Sequence, residues 1–141
     1  MGVFCRTAYL LLGITATTKL VTVVMSTPIL AETNLILGVS YRTTLALAAA
    51  AEIFTIVVML IAKTDGIRAV AILSLSAAFW VYRIAASKVH QSHCPCLGNL
   101  SDWLHLSSNV TDAISLNILL YLSVGSLIVV GSTFLRRPWR N

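Results

Sequence analysis

The segment Val89-His90-Gln91-Ser92-His93-Cys94-Pro95-Cys96-Leu97-Gly98-Asn99-Leu100-Ser101-Asp102-Trp103-Leu104-His105 concentrates the reactive side chains of this sequence, with all three histidines and two of the three cysteines. Two cysteines one residue apart can close a small disulfide ring, which is strained and more easily reduced than a structural bridge. Pro95 restricts the backbone between them and so presets the separation of the sulfurs. Lys88, His90 and His93 bring positive charge that favours a thiolate, the form that attacks a disulfide. Redox exchange is the chemistry on which spacing and neighbours agree, with Cys94, Cys96 and His93 as candidate catalytic residues and Cys94 as the attacking thiol.

Two other readings of the segment stay open. One is a plain structural bridge or a pair of unreacted thiols. The other is a zinc or copper site made by His90, His93, Cys94 and Cys96, since imidazole and thiolate suit both metals. Against the metal, Cys-x-Cys lacks the wider spacing of zinc knuckles, and no second Cys/His cluster exists. No metal ligand is therefore assigned. Cys5 lies at the other end of the chain's first apolar run and reads as a small apolar residue near a helix end.

A second group of candidates sits inside apolar runs. Ionisable groups within a membrane are costly and turn toward a bundle interior. Glu52 falls about ten residues from either end of its run and Lys19 about seven from the end of its own, so at ~1.5 Å per residue the two are near enough in depth to pair. Thr15, Lys19, Thr22 and Ser26 recur at three- and four-residue steps and share one helical face. Arg83, Asn117 and Tyr121 belong to the same half of the membrane. The layer reads either as a Lys19–Glu52 ion pair that fixes helix register, or as a cofactor site. In the second case Glu52 carries protons, and Lys19, Arg83 or Tyr121 donates hydrogen bonds to a quinone head group. A disulfide centre that oxidises client thiols must pass two electrons onward, and a membrane quinone is the natural acceptor.

The elements that must position these residues follow from composition. Of 141 residues 57% are apolar and 11% charged, and the mean hydropathy is +0.87. A soluble domain carries about 25% charged residues, so an ordinary soluble globule is excluded. At ~20 apolar residues per crossing, the length allows four spans and little else. The runs predict an all-α, up-down bundle of four transmembrane helices at about 7–26, 43–62, 67–86 and 113–135 in a single domain. A short interfacial segment follows the first helix, and an outer loop spans 87–112. Lys19 interrupts the first apolar run, which argues for an uncleaved span over a signal peptide.

Charge sets the orientation. Four spans put Arg6, Lys63, Arg68, Arg136, Arg137 and Arg140 on one side against Asp65. Arg42 and Lys88 on the other side are offset by Glu32, Asp102 and Asp112. The positive-inside rule then places both termini in the cytoplasm of a bacterial inner membrane and the Cys/His segment in the oxidising periplasm. Trp139 and Trp103 suit the two interfacial belts. The net charge of +5 thus reports topology, and no nucleic-acid partner is expected. The partners expected are the lipid bilayer and a periplasmic thiol or disulfide protein.

Lys19 late in the first helix, a Pro-containing connection, Glu52 inside the second helix and Cys94-Pro95-Cys96-Leu97-Gly98 between the third and fourth resemble the DoxX-like and methylamine-utilisation MauE group of small four-helix membrane proteins. The resemblance covers roughly residues 7–135. Only the Cys-x-Cys-x-Gly segment is distinctive. Members of the group often read Cys-Gly-Cys-Phe-Gly, so Pro95 and Leu97 differ in kind while the spacing is kept. The resemblance implies a bundle like that of vitamin K epoxide reductase and DsbB, a role in forming or isomerising disulfides of exported proteins, and Cys94 and Cys96 as the redox pair. It implies no quinone site here, because the second cysteine pair of those oxidases is absent. The alternative is a non-enzymatic subunit or assembly factor of a larger membrane complex, with the Cys/His loop structural or metal-binding.

Overall fold

The structure, a computed structural model, describes residues 2–25, 38–88 and 108–135. These form four helices, α1 (Gly2–Val24), α2 (Tyr41–Ile61), α3 (Asp65–Lys88) and α4 (Ser108–Leu135), with no strand among the described residues. Each helix is long and apolar enough to cross a membrane. The expected all-α bundle of four spans is therefore the architecture observed. Most of the expected interfacial segment, and the Cys/His segment from Val89 to Leu106, lie outside the described residues.

Local chemistry explains where the helices begin and end. Gly38 takes a left-handed φ of 65° just before α2, a conformation that glycine adopts without strain. Ser40 then caps α2, its Oγ accepting from the Thr43 amide at 3.2 Å, as the unpaired amides of a first turn require. The α2–α3 turn is held by Arg68, whose Nε donates to the Ala62 carbonyl at 3.1 Å and whose Nη1 reaches Asp65 Oδ1 at 3.3 Å.

The helices run longer than the apolar runs alone suggest. α1 starts at Gly2, α3 covers Asp65 to Lys88, and α4 begins at Ser108 within the polar stretch expected to be loop. Twenty-eight residues of α4 make a rod of about 42 Å at ~1.5 Å per residue, against a hydrocarbon core of ~30 Å. A helix of that length exceeds the crossing and leaves room for polar residues at its ends. Hydropathy marks the hydrocarbon and misses the helical overhang.

Packing is uneven around the bundle. α1 lies broadly against α2 and α3 against α4; α2 and α3 share less, and α1 and α4 less again. A core of Ala8, Leu12, Met59, Ile72, Leu75 and Leu122 joins all four helices, with Phe4, Ile56, Phe79 and Ile118 packed around it. Only 22% to 33% of the most apolar stretch of each span is buried. Residues such as Leu10, Leu47, Phe54, Val81 and Ile128 point outward, an arrangement suited to lipid. Many hydroxyls are satisfied within their own helix. Thr17 donates to the Gly13 carbonyl at 2.7 Å and Ser74 to Ala71 at 2.9 Å, both at exposed positions. Such local bonds let Ser and Thr lie on an outer face without an unpaired donor.

Candidate functional site

Lys19 of α1 and Glu52 of α2 form a buried ion pair, each residue 3% exposed or less. α1 and α2 are among the most closely packed helices, so the pair ties together elements that already touch. Lys19 Nζ also lies 5.1 Å from the centre of the Phe79 ring on α3, within the range of a cation–π attraction. Only one carboxylate oxygen of Glu52 is engaged by Lys19. Oε2 is buried and has no hydrogen-bond partner assigned among the described residues, with Thr15 beside the carboxylate.

Arg83 brings the second cation. Its Nη1 donates to Ser115 Oγ at 3.1 Å and its Nη2 pairs with Asp112 Oδ2 at 2.7 Å. Ser115 in turn donates to the Asp112 carbonyl at 2.9 Å. This cluster joins the end of α3 to the start of α4, the two ends that the 89–107 connection must bridge.

Between these groups lies a cavity of about 60 Å³, lined by residues of all four helices. Thr15, Lys19, Glu52, Arg83 and Ser115 are its polar wall; Leu11, Phe79, Ile118 and Leu122 are part of its apolar wall. The structure thus brings Lys19, Glu52 and Arg83 to one enclosure. It does not bring Tyr121 there. The Tyr121 hydroxyl shares a hydrogen bond with Thr7 at 2.7 Å, and its ring packs on Phe4 at 5.7 Å, on the α1–α4 seam. Asn117 is exposed, its Nδ2 donating to the Ala113 carbonyl at 2.8 Å, so it too lies apart. Cys94, Cys96 and His93 are outside the described residues. Among the described residues no three His, Cys, Asp or Glu side chains come together to hold a metal ion.

The volume decides what the enclosure can take. A water needs ~10–15 Å³ of such space, whereas a benzene-sized ring occupies a cavity of ~150 Å³. A cavity of about 60 Å³ therefore has room for a few waters between its polar walls. Of the residues expected around a quinone head group, Lys19, Glu52 and Arg83 line this cavity and Tyr121 does not. What the arrangement can do is hold water against the free oxygen of Glu52 and two cations.

Three features escaped the sequence reading. Asp112 and Ser115 as partners of Arg83 were hidden because the polar start of α4 was read as loop. Phe79 carries no signal until the α1–α3 register is known. The close approach of Phe4 to Gly125 is likewise a matter of register. No family model, curated protein or solved structure matches the chain. The class that fold and site define is a four-span, all-α membrane bundle with a buried, charged layer in one half.

Proposed function

We propose that this chain is a membrane thiol–disulfide exchange protein of the DoxX-like/MauE type, acting through Cys94 and Cys96 on a periplasmic thiol protein, with both termini in the cytoplasm. One observation carries the reading. Lys88 and Ser108, which flank in sequence the 89–107 stretch that carries Cys94-Pro95-Cys96, end α3 and begin α4 on the side of the Arg83–Asp112 pair and the charged layer. The residues next to the pair in sequence, His93 above all, favour a thiolate.

In the exchange step a client thiolate attacks one sulfur of the Cys94–Cys96 disulfide and forms a mixed disulfide, releasing the other cysteine as a thiolate. The second client thiolate attacks the client sulfur of that bridge and releases the remaining cysteine. The client leaves with a new disulfide, and the pair keeps two electrons and takes up two protons. No step is routed through a quinone. In the charged layer Arg83 and Asp112 hold α3 to α4 and Lys19 and Glu52 hold α1 to α2, so it acts as a positioning layer.

The test is thiol trapping with the full chain in intact cells, in a Cys5→Ser background that leaves only the pair. Cys94→Ser or Cys96→Ser should accumulate a mixed disulfide with an exported protein, and alkylation should show the wild-type pair changing state when external dithiol is added. A pair that never changes state and never forms a mixed disulfide overturns the proposal. Copper or zinc bound stoichiometrically and lost in Cys94→Ser/Cys96→Ser would replace it with a metal site.

A further inference from the structure

A second enclosure lies at the opposite end of the bundle, where α1 begins and the α2–α3 turn sits. It measures about 610 Å³ and is lined by Cys5, Arg6, Tyr9 and Leu10 of α1, Met59 and Leu60 of α2, and Asp65 and Arg68 of α3. That size falls within the ~300–1,000 Å³ of small-molecule sites. Its two walls differ in kind. Leu10 and Leu60 are strongly exposed and, with Met59, make an apolar flank. Arg6 and Arg68 face a single acid, Asp65, which leaves one net positive charge.

The cations are differently held. Arg68 is fixed by its bonds to the Ala62 carbonyl and Asp65, and those bonds leave its Nη2 edge without an acceptor among the described residues. Arg6 makes no ion pair among the described residues and is exposed. A guanidinium fork with free N–H groups matches the oxygens of a phosphate. Basic pockets between membrane helices near one surface bind anionic lipid head groups, and this one adds an apolar flank leading away from the charge.

We infer that the groove formed by Arg6, Tyr9, Leu10, Leu60 and Arg68 binds one anionic phospholipid of the leaflet at the N-terminal face, its phosphate between the two arginines and an acyl chain along Leu10 and Leu60. The net charge of the groove matches a singly charged phosphate diester. The site is independent of the cysteine pair and holds whichever function the pair has.

Native mass spectrometry of the full detergent-solubilised chain tests it, with phosphatidylglycerol and phosphatidylcholine of identical acyl chains offered together. The wild type should retain one phosphatidylglycerol per chain in preference to phosphatidylcholine. Arg6→Gln should lower that preference roughly fivefold, as loss of one cation near a lipid surface implies. Leu10→Ser should lower retention without changing charge, so the test stands even where Arg6→Gln does not fold. Excess inorganic phosphate should not displace the lipid. Equal retention of the two lipids, an unchanged preference in Arg6→Gln, displacement by phosphate alone, or a second copy of the chain in place of lipid overturns the inference.

Discussion

The ring of Phe4 on α1 lies so close to Gly125 on α4 that a Cβ at position 125 would overlap it. The approach lies on the seam between α1 and α4, which share less than the α1–α2 and α3–α4 pairs do. The Thr7–Tyr121 hydrogen bond and the Phe4–Tyr121 ring contact belong to the same patch. Small residues let helix backbones approach in lipid, where apolar surface alone gives no driving force. The closure of the bundle therefore rests on one glycine and a few side chains around it.

Gly125→Ala should destabilise the fold. The added methyl must push the Phe4 ring aside, and overpacking of this kind costs about 1–3 kcal/mol. Gly131→Ala is the control, because nothing lies within 4 Å of the Cβ it would add. There the higher helix propensity of alanine, worth up to about 1 kcal/mol, should leave stability unchanged or raised. Thermal unfolding in detergent, followed by circular dichroism, separates the two. Phe4→Leu placed on Gly125→Ala should recover part of the loss, and no recovery would mean that Phe4 is not what the methyl meets.

Lys19 and Glu52 should behave as a coupled pair. Removing one partner strands a buried charge at about 3–5 kcal/mol, whereas replacing both with apolar residues of similar volume is often neutral. Lys19→Met and Glu52→Met should each lower stability sharply, and the double variant should regain most of it. Additive losses in that cycle, measured by denaturant unfolding in mixed micelles, would mean that the two side chains do not act on each other.

Sequence and structure agree where the physics is local and part where it is relational. Apolar run length alone gives four crossings, and the cost of charge in lipid alone turns Lys19, Glu52 and Arg83 inward. Tyr121 lies off the cavity, because depth along a helix does not fix rotation about it. A residue at the right height on α4 still faces either the cavity or the α1 seam, and only the packing of Phe4 and Thr7 decides which. Asp112 failed for the opposite reason. Its partner Arg83 was recognised, but hydropathy ended α4 too early to place the acid on a helix.

The Arg83–Asp112 pair should contribute less than the Lys19–Glu52 pair and respond to salt. Asp112 is about half exposed, and ion pairs open to solvent are worth about 0–1 kcal/mol. Asp112→Asn should cost no more than that, with the loss shrinking at high ionic strength as screening weakens the attraction. Arg83→Leu removes the bond to Ser115 as well and should cost more. Unfolding midpoints at low and high salt read out both. A loss in Asp112→Asn that is insensitive to salt would assign the effect to the α4 N-terminus instead of the ion pair.

Glu52→Gln separates the charged layer from the exchange chemistry. Glutamine keeps the shape and can still accept from Lys19, but it strips the site of its negative charge and leaves Lys19 uncompensated. If the layer only positions the helices, Glu52→Gln should lower stability while the Cys94/Cys96 pair still exchanges with a small dithiol at close to the wild-type rate per folded chain. Stopped-flow alkylation of the pair, normalised to the folded fraction, makes that comparison. A rate reduced tenfold or more in folded Glu52→Gln would instead make Glu52 part of the route by which protons reach the sulfurs, since a tenfold change corresponds to about 1.4 kcal/mol in the barrier.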